Sequence, residues 1–122
     1  MPVVLKIDRQ RKVVYSSFYG KITDKELLSH RERIAAEPEF NSGFDEIADF
    51  TGVVQADISE AVLAAIANSP SLYSEKSLHI IVAPEALSFQ FANKFKVIAE
   101  GKRRNLFVVR SRADAYKLLD GK

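Results

Sequence analysis

The hydrophobic pattern switches repeatedly between short β-rich runs and stretches with helical spacing. Val3 to Asp8 predicts a first strand, and Asp8-Arg9-Gln10-Arg11 a polar turn. Val13 to Tyr19, rich in β-branched and aromatic residues, predicts a second strand that Gly20 ends. The short connection makes the two an antiparallel hairpin. Thr23 and Glu26 have the spacing of a capping box, so a helix begins there and runs to about Glu37, where Pro38 stops it. Leu27, Leu28, Ile34 and Ala35 share one face of that helix. Asp45 to Phe50 predicts a short third strand. Asp57 or Ser59 caps a second helix, with Ile58, Val62, Leu63 and Ile66 on its apolar side and its end before Pro70.

Leu78 to Ala83 has almost no polar residue, which predicts a strand buried on both faces and hence central in its sheet. Pro84 suits the first turn of a third helix and Gly101 its left-handed C-terminal position. Leu87, Phe91, Phe95 and Ile98 form one stripe on it. Leu106 to Val109 predicts another short buried strand. Ser111 caps a last helix carrying Ala115, Tyr116 and Leu119, which Gly121 ends. The order β-β-α-β-α-β-α-β-α predicts one α/β domain over residues 1–122. Its sheet should be mixed and mainly parallel, with five strands, and its four helices should pack mostly on one face.

Composition narrows the chemistry. The 122 residues are 47% hydrophobic and 28% charged, enough for one buried core. There is no cysteine, so disulfides, thiolate metal sites and thiol nucleophiles are excluded, in keeping with a cytoplasmic location. The N-terminal apolar run is too short for a signal peptide. The longest uncharged stretch, Ala61 to Ser74, contains Asn, Ser and Pro, so no membrane span is expected. Net charge is +2, but seven basic residues and one acidic residue lie between Lys94 and Arg112, leaving the remainder acidic. An acidic partner is permitted by that asymmetry, not identified by it. Lys102, Arg103 and Arg104 suit the dipole at the third helix's C-terminus. Only Phe107 is near them for base stacking, so nucleic acid is not predicted.

No nucleotide-binding glycine motif and no nucleophile elbow is present, and no cofactor is implied. His30 and His79 stand alone, one on a helix flank and one inside a strand, and read as structural residues, so neither a metal site nor a catalytic residue is predicted. Asp45, Glu46 and Asp49 read as solvated strand termini.

One segment has a distinctive layout. In Asp49-Phe50-Thr51-Gly52-Val53-Val54-Gln55-Ala56-Asp57-Ile58-Ser59 a strand ends in Asp, a short Thr-Gly loop follows, and Asp-x-Ser opens a helix. Backbone N–H groups at a helix N-terminus favour anionic oxygens, but from physics alone a plain N-cap is the favoured reading of the serine. Here the chain resembles the STAS family of anti-sigma-factor antagonist domains, and more closely its bacterial STAS/SEC14-like relatives. Asp49 to Val53 resembles the antagonists' first block, Asp-Leu-Ser-Gly-Val. Asp57 and Ser59 match the aspartate and the phosphoacceptor of their second block, Asp-Ser-Ser-Gly, while Ile58 and Glu60 depart from it. The carboxylate of Glu60 would repel a phosphate on Ser59. Gly20-Lys21-Ile22-Thr23 through Pro38-Glu39-Phe40, Ile80 to Pro84, Leu106 to Arg110 and Ala113 to Leu119 resemble the STAS/SEC14-like relatives.

The resemblance implies a non-catalytic regulatory module that binds partner proteins, or a carrier of an apolar ligand or lipid. Self-association into a homodimer is expected. Phe89, Phe91, Phe95 and Val97 make the third helix apolar on more than one side and are the candidates for an interface or for the lining of an apolar-ligand cleft. Ser59, on the apolar side of its helix, is expected to be half-buried. Arg31 falls within the apolar arc of the first helix, either snorkelling or paired with Asp45 or Asp49.

Overall fold

The computed structural model describes residues 3–103 and 105–121. Its elements follow the predicted order: β1 (Val3–Asp8), β2 (Val13–Thr23), α1 (Asp24–Ala36), β3 (Asp45–Asp57), α2 (Glu60–Asn68), β4 (His79–Val82), α3 (Ala86–Ala99), β5 (Leu106–Val109) and α4 (Arg112–Asp120). The strands lie side by side in chain order, with β1 antiparallel to β2 and the rest parallel. Adding parallel strands in one direction with right-handed crossovers puts every connecting helix on the same side. Thus α1, α2 and α3 cover one face, while α4, which connects no further strand, packs on the other.

Local signals set the helix ends. The Thr23 N–H and hydroxyl both donate to Glu26 Oε1 at 2.7 Å, which starts α1 and holds the Glu26 carboxyl below its usual range. Ser59 Oγ accepts the Val62 N–H, and Ser111 Oγ the Asp114 N–H. Gly101, at φ +81°, takes the left-handed position after α3. Pro84 stands before that helix rather than in its first turn, because Glu85 is the N-cap.

The largest difference from expectation concerns β2 and β3. Both run on past Tyr19 and Phe50, and residues 19–23 pair with 52–57 as a two-stranded ribbon. Gly20 therefore does not end β2. At φ +73° it sits at one of two register shifts that bend the strand. Gly52 also belongs to a strand: a Cβ there would lie 2.7 Å from the Tyr19 Cβ, so only glycine lets the neighbouring strand approach. β4 is interior, between β3 and β5. β5 is an edge strand, half-buried along its length rather than fully buried.

The core has two layers. Phe18, Ile22, Phe50 and Val53 face the three-helix side, and Val13, Ile47, Ile80 and Val82 face α4. On the α4 side the buried Asp49 carboxylate gathers the Tyr15 hydroxyl, the Thr51 N–H and hydroxyl, and Arg112 Nε at 3.2 Å. Burial and this contact push the Tyr15 hydroxyl well above its usual range.

Candidate functional site

The three-helix face is incompletely filled. A cavity of about 480 Å³ lies between the sheet and the helices above it. Its origin is the placement of α2, which packs chiefly against α3 and α1 and so roofs the sheet at a distance. Strand alternation aims Ala48, Phe50 and Ile81 up into the space, α1 contributes Leu27, α2 contributes Ile66, and α3 contributes Phe91 and Phe95. Phe18 stacks on Phe50 at 4.5 Å and Phe50 meets Phe91 at 5.0 Å between ring centroids, giving a rigid aromatic wall. Exposed Leu28, Glu32 and Ser71 also line it, so the cavity opens to solvent.

Polar groups gather on part of this lining. Glu46 accepts from His79 Nδ1 at 3.1 Å and from the Tyr73 hydroxyl at 3.2 Å, one partner on each oxygen. Burial would push the Glu46 carboxyl up, but the His79 hydrogen bond, the nearby imidazoles and Tyr73 outweigh it and hold the carboxyl below its usual range. Tyr73 packs edge-on against His79 and Phe40 and, buried beside Glu46, has its hydroxyl pushed far above the ordinary range. His30 contacts Ser16 Oγ through Nε2, and burial holds it below its usual value, so it is neutral near pH 7. Ser16 is fully buried and is not part of the cavity lining. No carboxylate among the described residues hydrogen-bonds His30, so the pair lacks the orienting acid of a hydrolytic triad. No group of three His, Asp or Glu side chains able to hold a metal occurs among the described residues.

Two arginines complete the lining. Arg103 Nη2 donates to the Ile66 and Ser69 carbonyls at 2.6 and 3.1 Å, and Arg31 Nη2 to the Pro70 carbonyl at 2.6 Å. Arg31 thus pairs with neither Asp45 nor Asp49, the latter being taken by Arg112 on the opposite face. Burial, with the charge of Arg31, pulls the Arg103 guanidinium below its ordinary value, while Glu46 acts against that. Arg104 lies outside the described residues.

Of the residues singled out in the sequence, Phe91 and Phe95 reach the cavity. Phe89 does not: it lies under the Arg110 guanidinium, 4.2 Å from the ring centroid. Val97 is 70% exposed on the outer side of α3. The Thr-Gly loop is absent: Asp49, Thr51, Gly52 and Asp57 all belong to β3. Asp45 and Asp49 are buried rather than solvated, and Glu46 is partly buried. Ser59 is exposed rather than half-buried. Its hydroxyl donates to Asp24 Oδ2 at 3.0 Å while accepting from Val62, so a phosphoryl group there would displace the first bond and face the carboxylates of Asp24 and Glu60. The cavity lining also holds His30 and His79, which read as structural residues in the sequence, Glu46, which read as a solvated strand terminus, and Tyr73, which the sequence did not single out. Alternation along β3 and β4 was the available signal: Glu46 shares a face with Ala48 and Phe50, and His79 with Ile81.

No candidate membrane-spanning helix occurs among the described residues. Comparison with known families, curated proteins and solved structures gives no match.

Proposed function

We propose that the protein binds a small, largely apolar molecule in the cavity beneath α2, as a carrier or sensor without catalysis of its own. The observation that carries this reading is the roughly 480 Å³ opening with aromatic and aliphatic walls. That volume lies within the range of about 300–1,000 Å³ typical of small-molecule sites, and a few polar groups on an otherwise apolar lining are the usual means of orienting a ligand. Glu46 and His30 have shifted titrations, as groups at binding and catalytic sites often do. Their surroundings favour binding over chemistry: the serine beside His30 lies away from the space, and both Glu46 oxygens already hold donors.

The regulatory-module and homodimer readings rest on less. The exposed large apolar residues, Val54 (79% exposed) and Val97 most of all, are spread over β1, β2, α1, β3 and α3, as on ordinary surfaces. Native mass spectrometry of freshly purified protein, followed by solvent extraction, separates these readings. A retained small molecule of lipid-like mass is the expected result. A dimer with no added mass, together with failure to take up an apolar fluorescent probe, would overturn the carrier reading in favour of the interaction module.

A further inference from the structure

The cavity carries a charge arrangement that an apolar ligand alone does not require. Arg31 on α1 and Arg103 after α3 reach the same five-residue stretch, 66–70, from opposite sides, and both line the cavity. Neither forms an ion pair with a carboxylate among the described residues. The Glu46 carboxylate offsets part of the Arg103 charge but forms no ion pair with either guanidinium, its two oxygens being held by His79 and Tyr73. Capping the end of α2 would explain one cation there. It does not explain a second guanidinium on the same lining, near enough for the charge of Arg31 to act on Arg103, in a partly dehydrated space where like charges repel more strongly than in water. Their hydrogen bonds to the described residues engage one nitrogen of each guanidinium, which leaves N–H groups of both for a further acceptor. The guanidinium fork matches a carboxylate bidentately.

We infer that the ligand is an amphipathic carboxylate, a single-chain or aromatic acid, whose tail lies against Phe50, Phe91 and Phe95 and whose anionic head is held between Arg31 and Arg103. The inference rests on the cavity reading above and adds the head group. An anion placed there relieves the repulsion between the two cations, so binding stabilises the fold as well as the complex.

The test is calorimetric titration at neutral pH with dodecanoate, dodecanol and dodecylamine, three probes with the same tail. Dodecanoate is expected to bind at least about tenfold more tightly than dodecanol, from charge-assisted hydrogen bonds made only by the acid. Arg31→Gln and Arg103→Gln should each remove most of that preference, read as the ratio of acid to alcohol affinity in the same variant. Arg31→Gln is the safer variant, since Arg103 also holds two carbonyls at the end of α2. Equal affinity for acid and alcohol, or a preference unaltered by Arg31→Gln, would overturn the head-group assignment while leaving the cavity reading intact. Preference for the amine would also overturn it and make Glu46 the recognition group. Binding of none of the three would overturn both.

Discussion

One face of the sheet is covered by α4 alone and the other by α1, α2 and α3, yet it is the face with more cover that holds the more enclosed cavity, the α4 side having only an open groove along β5. On the α4 side, Val13, Ile47, Ile80, Val82 and Ala115 are packed and buried, with Tyr116 and Leu119 closing the layer. On the three-helix side the sheet offers comparable apolar residues, but α2 stands off it and leaves the cavity. The two faces differ in their carboxylates as well. Asp49 is locked by Tyr15, Thr51 and Arg112 within a closed layer, whereas Glu46 lines a space that opens to solvent. On the proposed reading the contrast separates stability from function: the single-helix face is built as core, and the three-helix face has room for the proposed ligand.

That contrast can be broken by substitution. The largest effect is expected at Ile47, fully buried under α4, where Ile47→Ala should lower the unfolding free energy by about 2–5 kcal/mol in urea titration. A matched pair of enlargements sharpens the comparison. Ala115→Leu overpacks the closed face and should destabilise by about 1–3 kcal/mol. Ala48→Leu projects into the cavity and should be neutral or stabilising by up to about 1 kcal/mol, while abolishing ligand uptake. Equal destabilisation by the two would mean that the faces are equally full.

Away from either face, Ser59→Ala removes the α2 cap and should cost about 1 kcal/mol without altering ligand affinity. The smallest expected effect is on pH dependence. Burial lowers the His30 titration below its ordinary 6.5, so the unfolded chain takes up that proton first. Its contribution is present above pH 6.5 and is lost as the pH falls from there toward the native value. Glu46 acts in the same direction further down: its lowered titration contributes above pH 4.5 and is lost as the pH falls through its native value. Comparing urea midpoints at pH 7.5 and about 5 for the wild type and His30→Gln should show a flatter profile in the variant.

Much of the fold was legible because it depends on local patterns. The capping box at Thr23, the uninterrupted apolar run around Ile80 to Ala83, and the left-handed Gly101 each specify an element with short-range physics. The Gly20 and Thr51-Gly52 positions misled because glycine in a sequence looks like a break. Here it admits a bend in one strand and close approach of two. The polar residues of β3 misled for a related reason. Apart from Thr51 beside Asp49, the partners of Asp45, Glu46 and Asp49 come from β2, β4, α4 and the segment before β4, all distant in sequence. Phe91 and Phe95 were legible from helical spacing. The cavity itself was not, since it depends on how far α2 stands from the sheet, a property of three helices and four strands together.

The central claim, that ligand enters the three-helix face and not the other, is tested most directly by methyl-labelled NMR during titration with dodecanol. Saturable shifts at Leu27, Ile66, Ile81 and Leu106, with Ile47, Ile80, Val82 and Leu119 unmoved, are the expected result. Shifts spread over both layers, or none up to the solubility limit of the alcohol, would contradict it.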